Sequence, residues 1–395
     1  MKKLLLATAA TALAASGALA QEEIKIGISI GFTGPLESIA PAMEAAANLV
    51  VAEANESGLL LNGSTVVSVS GDSTCIDAAA ATAVAERLIT SDGVRGIVGG
   101  MCSGETSAQL VNVAMPNGIV MISPSATSPG LSTLEDNGLF FRTSPSDARQ
   151  GVVMTQILMD RGFDTVAVTY TNNDYGKGLA DAFAATFAEA GGTVTLNAAH
   201  EDGKADYSAE IGALAAAGGE VLVVAGYIDQ GGGGIVRAAI DTGAFDTFHF
   251  PDGMVSDALE ANYGPELTGS FGQNPSARGE GRDTFAAIAD AAGFNGTEAF
   301  AAESYDAMAL IILAMAAAGS SDPQVYKDSV MNVANAPGEE ILPGQIGRAL
   351  EIINAGGDVD YVGASAVELI GPGESAGSYR EIEFVDGKME VVGWR

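Results

Sequence analysis

Short runs of Val and Ile alternate with alanine-rich stretches along most of the chain. Ile24-Lys25-Ile26-Gly27-Ile28-Ser29-Ile30 has the β-branched content of a strand. The next stretch, 43–56, carries Met43, Ala46, Ala47 and Val50 at helical spacing and ends at Ser57-Gly58. The alternation continues with strands at 66–69, 97–99 and 119–122 and helices at 77–89 and 106–114. It restarts after Pro145, where helices at 147–159, 179–190, 207–217 and 235–241 interleave with strands at 166–170, 194–196, 221–224 and 248–250. Strands separated by helices predict parallel sheets covered on both faces. Two successive units of similar size therefore predict an α/β protein with two doubly wound lobes.

Beyond Gly269 the pattern changes. Asn274-Pro275-Ser276 breaks the chain, and helices follow at 284–292, 299–318, 324–335 and 348–353. Segments 380–385 and 388–392 flank Asp386-Gly387 as a hairpin. A late helical block with no sheet of its own is expected to return and cover the first unit, which makes both lobes discontinuous. The expected division is 21–143 and 275–378 for the first lobe, and 144–274 for the second, with 379–395 as a hinge return and second-lobe tail.

Residues 1–20 alter this picture. Lys2 and Lys3 precede an apolar stretch from Leu4 to Ala15, and Ala18-Leu19-Ala20 supplies small residues for cleavage before Gln21. That is a secretory signal peptide, too short to span a bilayer, and Gln21 is not a lipidation cysteine. The expected mature chain is exported and soluble. With 50 acids against 18 bases and a net charge of −32, the full sequence disfavours nucleic acid and anionic membrane surfaces as partners. Export also favours pairing the two cysteines, Cys75 and Cys102, with free thiols as the alternative. A bridge across that separation stabilises by roughly 3 kcal/mol in the chain-entropy model.

Ligands of doubly wound sheets sit beyond the carboxyl ends of strands. Four strand exits here carry suitable chemistry: Met101-Cys102-Ser103-Gly104, Ser123-Pro124-Ser125-Ala126-Thr127, Asn172-Asn173-Asp174-Tyr175-Gly176 and Ala225-Gly226-Tyr227. Helix-start N–H groups with the Ser103 hydroxyl read as a neutral anion site. Taken singly, Ser103 and Thr127 read as caps, and Tyr175 and Tyr227 as half-buried rims. Their joint placement favours a ligand site.

The leader, Ile24-Lys25-Ile26-Gly27, Thr33-Gly34-Pro35, Cys75 with Cys102-Ser103, Pro124-Ser125-Ala126-Thr127 and Asp174-Tyr175-Gly176-Lys177-Gly178 come in an order that resembles the periplasmic solute-binding proteins of the leucine/isoleucine/valine family. The resemblance covers essentially residues 21–395. It implies a type I periplasmic binding fold with two lobes joined by a three-crossing hinge, an amino acid ligand, an ABC permease as partner, and a monomer in the periplasm. It assigns Ser103 to the ligand's α-carboxylate, Thr127 to carboxylate and ammonium, and the Ser125 carbonyl to the ammonium. Tyr175 and Tyr227 would close over the ligand from the second lobe, and Asp252 would face the ammonium where relatives commonly have Glu. Many relatives carry an aromatic after the proline equivalent to Pro35; Ile39 is the nearest match here, with Met101 and Tyr305 as further walls. An aliphatic amino acid fits such a pocket best, and an amide, a urea-like or a γ-amino acid ligand stays open.

Other motifs carry less. Gly27-Ile28-Ser29-Ile30-Gly31 matches a hydrolase nucleophile elbow, but Ser29 falls inside a strand rather than at a strand-to-helix turn. Gly231 to Gly234 lacks the Lys-Ser/Thr of a phosphate loop and reads as a flexible helix entry. His200 reads as a solvated loop residue and His249 as a packed strand residue. No metal or cofactor site is expected, since the acids form no calcium loop and the cysteines no zinc spacing. Transport binding is the favoured class, ahead of a ligand-sensing component for a receptor or regulator and of a secreted α/β hydrolase.

Overall fold

The computed structural model describes residues 21–395; the leader read at 1–20 lies outside the described residues. The first sheet contains β1 (Glu23–Ile30), β2 (Thr65–Asp72), β3 (Ile97–Gly99), β4 (Met121–Ser123) and β5 (Phe140–Arg142). The second contains β6 (Thr165–Thr171), β7 (Thr193–His200), β8 (Val221–Ala225), β9 (Phe248–Phe250) and β10 (Phe271–Pro275). A small parallel pair follows, β11 (Glu339–Ile341) with β12 (Val359–Tyr361). Then β13 (Leu369–Ile370) and β14 (Glu374–Ser375) extend the first sheet, while β15 (Tyr379–Val385) and β16 (Lys388–Trp394) extend the second.

The strand orders are β13-β14-β5-β4-β3-β1-β2 and β16-β15-β10-β9-β8-β6-β7. The central pairings are parallel, and antiparallel pairs occur only at the late additions, β13 with β14, β10 with β15 and β15 with β16. β8 shows why these runs become strands: Val221-Leu222-Val223-Val224-Ala225 is buried throughout, as a strand covered by helices on both faces must be. The late helix Ala301–Ala318 is long and apolar enough to cross a membrane, but it packs on helix Ala40–Ser57 and the first sheet. Its apolar surface is spent on the first-lobe core.

Three segments cross between the lobes. The chain leaves β5 for helix Asp147–Asp160, leaves β10 for helix Glu280–Ala292, and passes from β14 directly to β15. The last two crossings bond to each other, Ser276 N–H to Ser378 O at 3.0 Å and Ser378 Oγ–H to Ser276 O at 2.8 Å. Cys75 and Cys102 form a disulfide with Cα atoms 5.1 Å apart, joining the segment after β2 to the segment after β3.

Two local expectations fail. Gly231 to Gly234 are the first turn of helix Gly231–Thr242 and not a flexible entry. A Cβ on Gly232 would lie 2.3 Å from Met254 Sδ and 2.8 Å from Tyr227 O, so the glycines permit close packing behind Tyr227. His200 is buried at the end of β7, with Nδ1 2.8 Å from Thr169 Oγ1 on the neighbouring strand. His249 is also buried, stacked on Phe271.

Burial sets the pH response. It pushes the carboxyls of Glu105, Glu298 and Glu303 up to about 7, and the imidazoles of His200 and His249 down to about 4. Near pH 6 the folded chain keeps three carboxyl protons that the unfolded chain releases, so their contribution is present at low pH and lost as pH rises through about 7. The histidines act oppositely, destabilising as pH falls below about 6.5, where the unfolded imidazoles protonate. Three groups outweigh two. The melting temperature by scanning calorimetry is expected to rise as pH is lowered from about 8 to about 5, and Glu105→Gln is expected to flatten that rise.

Candidate functional site

The lobes meet at the carboxyl ends of their sheets, and the loops leaving the strands build the site. In the first lobe, β3 runs out through Gly100-Met101-Cys102 into helix Ser103–Gln109. Glu105 folds back so that Oε1 accepts Met101 N–H at 2.6 Å and Cys102 N–H at 3.0 Å. Those two donors are therefore satisfied internally, and the anion site expected from free N–H groups there depends on Ser103. Its Oγ accepts Ser128 N–H at 3.0 Å, which leaves the hydroxyl proton to donate.

The loop after β4 is stitched to the same exit. Ser123 Oγ–H donates to Gly100 O at 2.6 Å and Ser125 Oγ–H to Met101 O at 2.7 Å. Buried Arg142 holds the far side of this loop, donating to Ala126 O and Ser128 O at 3.0 Å each and pairing with Glu374 beside the third crossing. Thr127 Oγ1 is buried and has no hydrogen-bond partner.

The second lobe supplies two stacked rings. Asn173 caps helix Asp174–Glu189 through Gly176 N–H and sets Tyr175 in its first turn. Tyr227 follows β8, and its ring lies on that of Tyr175 with centroids 5.1 Å apart and planes 17° apart. The Tyr175 hydroxyl donates to Asp252 Oδ1 at 2.6 Å and accepts Gly253 N–H at 3.1 Å. Burial raises both phenol pKa values well above their ordinary range, so the rings stay neutral donors.

Asp252 has a neighbour that sequence reasoning missed. Asp147, at the start of its helix just after the first crossing, is fully buried. Gln150 bridges the two: its Nε2–H donates to Asp147 Oδ1 at 2.9 Å, and its Oε1 accepts Asp252 N–H at 3.2 Å. Asp147 N–H donates to Thr127 O at 2.8 Å, while Asp147 Oδ2 has no partner. Burial, then the charge of Asp252, pushes the Asp147 carboxyl well up, and burial raises that of Asp252.

These loops close around a small cavity of about 10 Å³, room for about one water, so a larger guest enters only as the lobes part. Ser103, Ser125, Met101 and Cys102 face it from the first lobe, and Tyr175, Tyr227, Asp252 and Gly253 from the second. Its other walls are Leu36 and Phe300. Thr127 and Asp147 lie behind this lining, and Ile39 and Tyr305 do not line it either. Ile39 is buried at the start of helix Ala40–Ser57, and the Tyr305 hydroxyl donates to Glu53. Leu36, two residues after Gly34 with its φ of 109°, lines the cavity in the place expected of Ile39. Phe300 precedes helix Ala301–Ala318 in a left-handed conformation, φ 60°, that periodicity does not signal. Ser29 is buried within β1, away from any strand-to-helix turn. Among the described residues no cluster of His, Cys, Asp or Glu is arranged to hold a metal ion.

Comparison with known proteins places this geometry. A family model described as periplasmic binding protein matches residues 23–338. A Leu/Ile/Val-binding protein homologue of Brucella melitensis is 33% identical over 329 residues, covering 82% of this chain and 86% of that one. The substrate-binding protein BasB of a chemotactic signal transduction system in Halobacterium salinarum is 27% identical over 391 residues, 94% of this chain and 89% of that one. The branched-chain amino acid transporter substrate-binding protein LivJ of Streptococcus pneumoniae, solved with isoleucine, superposes with a TM-score of 0.78 at 22% identity, covering 95% of this chain and 99% of that one. With its two lobes, three crossings and shared cavity, the chain belongs to the periplasmic binding protein family.

Proposed function

We propose that this chain captures an aliphatic amino acid between its lobes and delivers it to an ABC permease. The observation that carries the reading is the lining of the cavity: the buried Asp252 carboxyl with Tyr175 and Tyr227 from the second lobe, Ser103 and Ser125 from the first, and Leu36, Met101 and Phe300 as apolar walls. A buried carboxylate pair costs several kcal/mol unless a cation reaches it. An α-ammonium placed at Asp252 supplies that cation, with Asp147 behind it through Gln150 and with Thr127 Oγ1 and the Ser125 carbonyl as further acceptors. The α-carboxylate then takes the Ser103 hydroxyl, and Leu36, Met101 and Phe300 hold the aliphatic side chain. The Tyr175 and Tyr227 rings cover the ammonium, whose attraction to an aromatic face adds to the pairing. Closure excludes water and strengthens each polar contact. The Brucella relative supports the same reading, since it is named as a Leu/Ile/Val-binding protein homologue.

The rest of the assignment is also a proposal: a leader at residues 1–20 cut after Ala20, a soluble monomer in the periplasm, no cofactor and no catalysis. A second reading, delivery of the ligand to a receptor, is favoured by the BasB match over 94% of the chain. Both readings use the same cavity.

Calorimetry across leucine, isoleucine, valine, γ-aminobutyrate, an aliphatic amide and 4-methylpentanoate tests the ligand class. Branched-chain amino acids are expected to bind tightest and 4-methylpentanoate, which lacks the amine, least; an amide or the des-amino acid binding best would overturn the reading. Asp252→Ala is expected to weaken leucine binding by about 2–5 kcal/mol, because it strands a buried ammonium. Phe300→Ala is expected to remove one apolar wall, lowering leucine affinity about tenfold and raising the relative affinity for phenylalanine in the same titrations.

A further inference from the structure

The lobes also touch outside the cavity. On one flank the loop Gly34-Pro35-Leu36-Glu37-Ser38 of the first lobe meets Asp229 of the second. Asp229 N–H donates to Pro35 O at 3.1 Å, and Asp229 Oδ2 accepts Ser38 N–H at 2.9 Å. On the other flank, Asn295 Nδ2–H donates to Asp257 Oδ2 at 2.7 Å, joining the loop before Phe300 to helix Asp257–Tyr263. Neither Asp229 nor Asn295 lines the cavity.

The two flanks share a logic. Leu36 and Phe300 are apolar walls carried by first-lobe loops, and each loop is tied to the second lobe by one of these contacts. Gly34 adopts φ +109°, and a Cβ there would lie 2.4 Å from Thr74 O, so the loop packs on the segment holding Cys75. Its far side is thus fixed within the first lobe while Pro35 O and Ser38 N–H face Asp229. Asp229 lies two residues after Tyr227, so one short segment supplies both a ring over the cavity and a grip on the opposite lobe. The partners of both Asp229 bonds are on the first lobe, and opening the cleft breaks both.

We propose that Asp229 is a positioning residue: a clasp that raises the population of the closed state through Pro35 and Ser38 and so raises affinity without touching the ligand. A contact made only in the closed state stabilises that state alone, and the apparent dissociation constant falls with the closed population. The clasp concerns closure whatever the ligand, but its binding readout uses leucine and rests on the proposed function.

The test separates the two. Electron–electron distance measurements between spin labels at Glu86→Cys on the first lobe and Glu189→Cys on the second report opening in the ligand-free protein. Calorimetry with L-leucine reports affinity in the unlabelled protein. Asp229→Ala is expected to lower the closed fraction about threefold and to raise the leucine dissociation constant by the same factor. Asp229→Asn, whose amide oxygen still accepts Ser38 N–H, is expected to restore both to within about twofold. The ligand-free melting temperature is expected to stay unchanged in both variants, which a general loss of packing would lower. A closed fraction indifferent to Asp229→Ala, or one that Asp229→Asn fails to restore, overturns the clasp. If leucine does not bind the wild-type protein, the proposed ligand class fails, and the distance distributions still decide the clasp.

Discussion

Two carboxylates, Asp147 and Asp252, sit out of water at the junction of the lobes without a cation between them. Each polar neighbour softens that burial in part: the Tyr175 hydroxyl on Asp252 Oδ1, the Gln150 amide between the pair, the backbone of Thr127 against Asp147. None neutralises it. The stacked tyrosines belong to the same cluster, since Tyr175 reaches Asp252 through its hydroxyl and Tyr227 lies on the Tyr175 ring. The hinge is implicated too, since Asp147 is the first helical residue after one crossing and buried Arg142 anchors the loop before it to Glu374 at another. These bonds make one polar network that spans both lobes.

Rigid support surrounds this charged junction. The disulfide, the Glu105 carboxyl on two backbone amides and the Ser123 and Ser125 hydroxyls make the first-lobe side a preorganised half-site. A half-site that does not rearrange loses little entropy when a guest arrives. The second-lobe side carries the rings and Asp252, and closure brings the halves together. Ligand recognition and lobe motion are one equilibrium here, which is why a contact such as that of Asp229 with Ser38 bears on affinity from outside the cavity.

The lobes were legible in the sequence because parallel strands buried on both faces read as unbroken Val and Ile runs, and helices between them as alanine-rich stretches. Strand exits then pointed to Ser103, Tyr175 and Tyr227, since such sheets gather loops at one edge, and the family resemblance added Asp252. What escaped depends on contacts distant in sequence. Leu36 rather than Ile39 faces the cavity through a turn whose Gly34 conformation the spacing does not specify. Asp147 looks like an ordinary acid at a helix start, and only the fold brings Asp252 next to it. Phe300 turns inward through a left-handed backbone. His200 looks solvated beside Glu201 and Asp202 until Thr169 on the adjacent strand is seen to hold it.

The hairpin of β15 and β16 closes one edge of the second sheet, although the rest of that sheet is finished by Pro275. Between them lie about a hundred residues that belong elsewhere. The second lobe therefore cannot reach its native edge during synthesis of its own segment, and its order of assembly runs through completion of the other lobe. For a polypeptide made from its N-terminus, such a connection postpones the second sheet's last edge until the β15–β16 hairpin has emerged.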